Sequence, residues 1–174
     1  MAGDIYDFLS SDCSLNKPWI PPSIQNVLKI KRLTPTAIIP KYAHPTDSGL
    51  DLCYDSGQEK KGLAILPKQR LLVPTGISIE LPPNTEAQIR PRSGLAAKYG
   101  ITVLNTPGTI DEGYRGEIKV ILINLGDEWL TLNHGDRIAQ MVICPVLRPE
   151  IITVDELTDS DRGANGFGST GVNS

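Results

Sequence analysis

An acid set beside a short apolar run, with an aromatic three residues further on, is the arrangement in this chain with the plainest chemical use. Residues 105–117 read Asn-Thr-Pro-Gly-Thr-Ile-Asp-Glu-Gly-Tyr-Arg-Gly-Glu. Asp111 follows Ile110 directly and precedes Tyr114 by three residues. Side chains alternate along a strand, so a buried Ile110 would direct the Asp111 carboxylate outward into a cleft or solvent. There a carboxylate can serve as a general base. An aspartate in a turn often serves only its own backbone two residues on, and on this segment alone that reading stands ahead.

A second block lies at the C-terminus. Residues 162–171 hold Arg162, four glycines, Phe167, Ser169 and Thr170. A stretch this rich in glycine and polar residues builds no core, and such ends are commonly disordered. A flexible tail, however, has no use for a ring flanked by glycines. Glycines let backbone N–H groups wrap an anion, Ser169 and Thr170 add donors, and Arg162 can fork onto phosphate. Phe167 offers a flat face on which a base can stack.

Three further polar islands interrupt apolar sequence. Residues 47–52 (Asp-Ser-Gly-Leu-Asp-Leu) set Asp51 between two leucines, which would face the opposite way in an extended segment; Asp47 reads as a turn residue. Residues 91–96 (Pro-Arg-Ser-Gly-Leu-Ala) put Arg92 and Ser93 at the start of a helix over 93–99, closed by Gly100. Free N–H groups there favour an anion, although a plain serine cap beside a solvated arginine fits equally. Residues 135–140 (Gly-Asp-Arg-Ile-Ala-Gln) form a turn entering a strand. Strict alternation sets Gln140 on the side of Ile138, an odd place for a polar residue and a sign of a hydrogen-bonding duty.

The elements that must position these blocks are strands. Short apolar runs recur between Pro, Gly and Asn at 27–33, 37–39, 64–66, 71–73, 76–81, 87–89, 101–104, 118–123, 129–132, 138–146 and 151–154. That spacing predicts an all-β sandwich or barrel. No heptads, tandem repeats or βαβ alternation occur, so the glycine-rich tail is not part of a Rossmann or Walker site. The first 28 residues differ, being polar with Pro18, Pro21 and Pro22.

Composition narrows the class. The chain has 174 residues, room for one domain with a sizeable core. Its 17 basic and 20 acidic side chains are nearly balanced and scattered, which gives no footprint for a nucleic acid polymer. A nucleotide monomer needs only a few placed cations. Cys13, Cys53 and Cys144 lack metal-ligand spacing, and His44 and His134 are isolated, so no zinc cluster is offered. The cysteines read as small buried hydrophobes or bystanders in a reducing compartment. No apolar run is long enough to span a bilayer, and the acidic N-terminus lacks the basic start of a secretory or transit peptide. The expectation is a cytoplasmic protein without membrane contact.

Taken in order, the five blocks resemble one family closely, the trimeric dUTP diphosphatases (dUTPases). Its motifs stand here at 47–52, 91–96, 108–117, 135–140 and 162–171, and the resemblance covers roughly 28–171. It implies an all-β, distorted jelly-roll-like barrel in a homotrimer, with a C-terminal arm closing over a neighbouring subunit's site. The implied division is an extension (1–28), the β domain (29–160) and the arm (161–174). The implied reaction is dUTP and water to dUMP and pyrophosphate with Mg²⁺, keeping uracil out of DNA and supplying dUMP for dTMP synthesis.

Within that resemblance, Asp111 activates the water that attacks the α-phosphorus. Asp51 holds Mg²⁺ through the metal's water shell. Arg92, Ser93, Gly94 and Gln140 belong to the α- and β-phosphates, and Arg162, Gly168, Ser169 and Thr170 to the tail that clamps the γ-phosphate. Asn105 and Gly108 lie at the uracil edge, Tyr114 lies against the deoxyribose, and Phe167 stacks on uracil. Asp136 is read as a partner orienting Arg92 or Arg137. Two alternatives stand beside this. A dCTP deaminase shares the fold and part of the 108–117 motif but carries a catalytic glutamate on the following strand, where this chain has Ile121. A catalytically silent nucleotide sensor would lack Asp111, Asp51 or the tail, all of which are present.

Overall fold

A computed structural model describes residues 27–58, 62–164 and 166. Among them are eleven strands and one helix: β1 (Lys29–Arg32), β2 (Leu50–Cys53), β3 (Leu63–Ile65), β4 (Arg70–Pro74), β5 (Ile77–Glu80), β6 (Thr85–Arg90), α1 (Ser93–Tyr99), β7 (Ile101–Val103), β8 (Gly108–Ile110), β9 (Lys119–Asn124), β10 (Leu130–Leu132) and β11 (Arg137–Pro145). They form a distorted jelly-roll-like barrel of four antiparallel sheets, ordered β1-β5, β10-β3, β2-β11-β6-β8 and β4-β9-β7. The period-2 pattern explains the layering. In β6, Thr85, Ala87 and Ile89 point inward while Glu86, Gln88 and Arg90 point out. Leu52, Ile65, Ile77, Ile101, Ile118, Leu122, Leu132, Ile138 and Met141 are fully buried and make one continuous core.

The structure corrects the sequence reading at both ends of the strand list. Residues 37–39 are not a strand, although Ala37 is buried. Pro35 and Pro40 bracket them, and proline donates nothing to a ladder. Residues 151–154 are also not a strand; every residue from Leu147 to Ala164 is exposed. Two strands were instead hidden inside polar islands. β2 carries the 47–52 motif, with Leu50 and Leu52 buried and Asp51 on the other face as expected. β8 lies within the connection between β7 and β9. Those two do pair, Val103 opposite Leu122, but β8 crosses to the other sheet and pairs with β6, Ile89 opposite Gly108. The connection is therefore anchored in two sheets, and the residues just after β8 inherit that rigidity.

Helix α1 runs over Ser93–Tyr99 as predicted, but Arg92, not Ser93, is its N-cap residue and no side chain caps it. The Ser93 hydroxyl is thus not spent on the helix. Gly100 ends α1 in the left-handed region (φ 68°), donating its N–H to Ala96 and Leu95 carbonyls. A Cβ there would stand 2.5 Å from the Gly126 nitrogen.

One buried charge ties the strand ends together. Asp55, just past β2, is 3% exposed. It accepts from the Thr34 and Thr36 hydroxyls and the Gly57 N–H, with His134 Nδ1 at 3.4 Å. Burial pushes its carboxyl up, but the Thr34, Thr36 and Gly57 hydrogen bonds and His134 outweigh this and hold it below the ordinary value. The carboxylate is fully solvated by protein donors.

Candidate active site

Strand β11 builds the first half of the site. A bulge between Arg137 and Ala139 shifts its register against β2, leaving Arg137 opposite Cys53 and Gln140 opposite Asp51. Ile138 and Ala139 are consecutively buried in consequence. The bulge removes the puzzle of Gln140: it shares the outer face with Asp51, not the core face with Ile138. Its Nε2 donates to the Pro91 carbonyl at 2.9 Å. A Cβ on Gly49 would sit 2.5 Å from Gln140 Oε1, so glycine at 49 makes the space this side chain occupies.

Asp51 is the electrostatic centre of this half. Its Oδ1 accepts from Arg92 Nε at 3.1 Å and its Oδ2 from Arg137 Nη1 at 3.2 Å. One carboxylate therefore holds two guanidiniums in fixed orientation while leaving other donors of each fork free to meet an anion. Arg92 Nη1 also reaches the Arg137 carbonyl at 3.5 Å. Asp136, read from sequence as the partner of Arg92 or Arg137, does something else: its carboxylate accepts the Asn133 N–H at 2.7 Å and closes the turn. Arg137 was not singled out for binding, and the signal for it was unreadable, since only the bulge brings it beside Asp51. Asp51, Arg92, Arg137 and Gln140, with Ser93 and Gly94, line an open polar cleft of about 450 Å³.

The second half is a cavity of about 290 Å³ between β8 and the β4-β9-β7 sheet. Asn105, Gly108, Ile110, Tyr114, Val103 and Ile121 are among its walls. The Asn105 amide lies over Gly108, with Nδ2 3.0 Å from where a Cβ would be. Tyr114 folds back on its own turn, its N–H bonded to the Asp111 carbonyl and its hydroxyl to the Glu117 carbonyl, each at 3.0 Å. A Cβ on Gly116 would collide with the Tyr114 ring, so glycine permits this fold-back. Ile121, where a deaminase needs a glutamate, presents aliphatic surface to the cavity.

Asp111 is exposed one residue beyond β8, with Ile110 packed against the core, as alternation requires. Among the described residues no hydrogen bond or ion pair engages its carboxylate, and it lines neither cavity. The two cavities share no residue. Arg162 lies in an exposed turn. Phe167, Gly168, Ser169 and Thr170 lie outside the described residues. Cys53 sits near Asp51, but burial and then the Asp51 charge push its thiol up, away from nucleophilic use. No helix among the described residues is long and apolar enough to cross a membrane.

A β barrel that holds two arginines on one carboxylate over a polar cleft has the fixed positive charge and hydrogen-bond donors that suit a small anionic ligand. Comparison with known proteins makes the family specific. The dUTPase family model matches residues 35–171. The deoxyuridine 5'-triphosphate nucleotidohydrolases of Gloeothece citriformis and Crocosphaera subtropica are 61% and 63% identical, over 84% and 83% of this chain and 98% and 99% of theirs. The dUTPase of Staphylococcus bacteriophage 80alpha, solved with dUpNHpp, superposes with a TM-score of 0.76 at 27% identity, covering 84% of this chain and 99% of that one. The chain belongs to the dUTPase family.

Proposed function

We propose that this protein hydrolyses dUTP to dUMP and pyrophosphate by attack of water on the α-phosphorus, acting on the cytoplasmic nucleotide pool. The observation that carries the reading is Asp111, whose carboxylate is exposed, held by a rigid turn and committed to no protein partner. A carboxylate so placed can accept a proton from the attacking water while the bond from the α-phosphorus to the bridging oxygen breaks and pyrophosphate leaves. Arg92 and Arg137, oriented by Asp51, supply fixed positive charge for the phosphates, with Ser93, the Gly94 N–H and Gln140 as donors. In the same reading Arg162, Gly168, Ser169 and Thr170 close over the γ-phosphate.

The cavity beside β8 takes the nucleoside. Asn105 and the backbone at Gly108 read the uracil edge, Tyr114 packs against the deoxyribose and excludes a 2′-hydroxyl, and Phe167 stacks on the base. Aliphatic Ile121 offers no proton shuttle to a cytosine, which disfavours deamination.

The residues fit Mg²⁺ in one way only. Both Asp51 oxygens already carry guanidinium partners, and no group of three ligating side chains occurs among the described residues. Asp51 would therefore meet a hydrated ion carried by the triphosphate through that ion's waters, since magnesium dehydrates reluctantly. When bound, the ion supplies charge neutralisation at the phosphates.

The separation of Asp111 from the arginine cleft supports a homotrimer in which one subunit's Asp111 completes another's cleft. The exposed Leu147, Ile151, Ile152 and Leu157 support the same assembly, as apolar surface a neighbouring subunit would cover. We assign residues 1–28 as an extension, 29–160 as the β domain and 161–174 as the arm.

Incubation with Mg²⁺ and dUTP, dCTP, dTTP or UTP in parallel tests the proposal. The expected result is dUMP and pyrophosphate from dUTP alone. Deoxyuridine products from dCTP would favour the deaminase branch, and tight dUTP binding without product would move the protein to a sensor.

A further inference from the structure

Outside the groups assigned above, one polar cluster spans three distant parts of the chain. Glu112 is the residue after Asp111. Its Oε2 accepts both the Asn84 N–H and Arg148 Nη2, each at 3.0 Å. Arg148 Nη1 donates to Asn84 Oδ1 at 3.1 Å, so the fork closes a three-membered ring of hydrogen bonds. Asn84, in the turn between β5 and β6, has φ 58°, a left-handed conformation that asparagine tolerates better than most side chains. Its carbonyl accepts the Val146 N–H at 2.9 Å. Asn84 therefore uses its backbone N–H, its backbone carbonyl and its side chain in one cluster.

The position of this cluster is what gives it meaning. Leu147 through Ala164 are exposed, and Val146 and Arg148 tie the chain to the Asn84 turn where that exposed stretch begins. On the other side, Glu112 belongs to the turn whose other bonds are internal: Tyr114 N–H to the Asp111 carbonyl, and Arg115 Nη1 to the Glu112 and Tyr114 carbonyls at 2.7 and 2.9 Å. Those bonds set the turn's shape. Glu112 to Asn84 and Arg148 sets where that shape sits on the barrel.

We propose that Arg148, Glu112 and Asn84 form a positioning clamp that couples the root of the C-terminal segment to the turn bearing Asp111 and so fixes the direction of its carboxylate. The proposal rests on the reading of Asp111 as the general base. Arg148 and Glu112 are half-exposed (54% and 35%), so their pairing contributes little to global stability. Its effect is geometric, and displacement of a catalytic group by an ångström is costly in rate.

The test uses the full chain with Arg148→Met, Glu112→Gln and both together. Three readouts are needed: steady-state turnover of dUTP, affinity for dUpNHpp, and backbone hydrogen exchange over residues 108–118 without ligand. Arg148→Met should lower kcat about tenfold, with KM and dUpNHpp affinity within about twofold, because positioning and not ground-state binding is lost. Exchange through the Asp111 turn should quicken. Glu112→Gln, which keeps an acceptor for the Asn84 N–H, should cost less, and the double variant should be no worse than Arg148→Met alone. Unchanged kcat in Arg148→Met overturns the proposal, even if exchange quickens. So does a kcat that falls only in step with dUpNHpp affinity. Asp111→Asn is measured beside them: its retaining turnover would remove the base assignment, whereas the exchange data report the clamp independently.

Discussion

Asp111 shows what one residue contributes and what it borrows. Its carboxylate meets no protein donor among the described residues, so its oxygens are open to water, while its backbone is held by Tyr114 and, through Glu112, by Asn84 and Arg148. Replacing it with alanine or asparagine should reduce kcat by about 10²–10⁴. Binding of dUpNHpp should stay within about tenfold, since the lost contact is to the attacking water and not to the phosphates. A collapse of affinity equal to the loss in kcat would show that Asp111 binds substrate instead. The residue itself was legible in the sequence because an acid one step after a strand residue packed on the core faces out. Arg137 was not, because its approach to Asp51 needs the extra residue of a bulge.

At the scale of elements, the arginine cleft depends on how β2, β11 and the start of α1 meet. Gly49 lies where that meeting is tightest, with Gln140 Oε1 2.5 Å from its missing Cβ. Gly49→Ala should push Gln140 off the Pro91 carbonyl and raise KM for dUTP about tenfold, the cost of one hydrogen bond to a charged group. Melting temperature should change little, because Gly49 is outside the strands and the displaced atom ends a flexible side chain. A wild-type KM would mean that Gln140 does not touch the ligand. Apolar, β-branched runs bounded by turn residues, such as 118–123, were readable as strands. β2 and β8 were harder to read as strands, since each is only three or four residues long and gains its pairing from distant partners, β11 and β6.

For the whole molecule, two predictions separate stability from assembly. The Asp55 carboxyl lies below the ordinary 3.8 in the folded chain. A folded value beneath the unfolded one gives stabilisation that is complete above the unfolded value and lost as pH falls through the folded one. Thermal unfolding should therefore show a falling melting temperature as the pH drops below about 4. Asp55→Asn should be less stable at neutral pH by about 1–3 kcal/mol, for a buried network left partly unmatched, and should lose less than wild type on acidification. An Asn variant as stable as wild type at pH 7 would show that the Thr34 and Thr36 hydroxyls do not need the charge. Assembly is tested by mixing Asp111→Ala and Arg92→Ala subunits, unfolded together and refolded. If the two residues come from different subunits, equal mixing should recover about a quarter of the wild-type rate from two inactive parents. No recovery would place both residues of each site on one chain.

The sequence by itself determined the strand-rich class, the inward and outward faces of strands without a bulge, the helix over 93–99 with its glycine stop, and the five blocks that could bind a nucleotide. These are local properties, carried by period-2 alternation, turn chemistry and residue type. Tertiary structure alone decided that Asp51 grips two arginines, that Gln140 shares its face, that Asp136 only closes a turn, and that the Asp111 turn is tied to Arg148. Each of those depends on register between strands far apart in the chain, and a single bulged residue reverses which side chains meet.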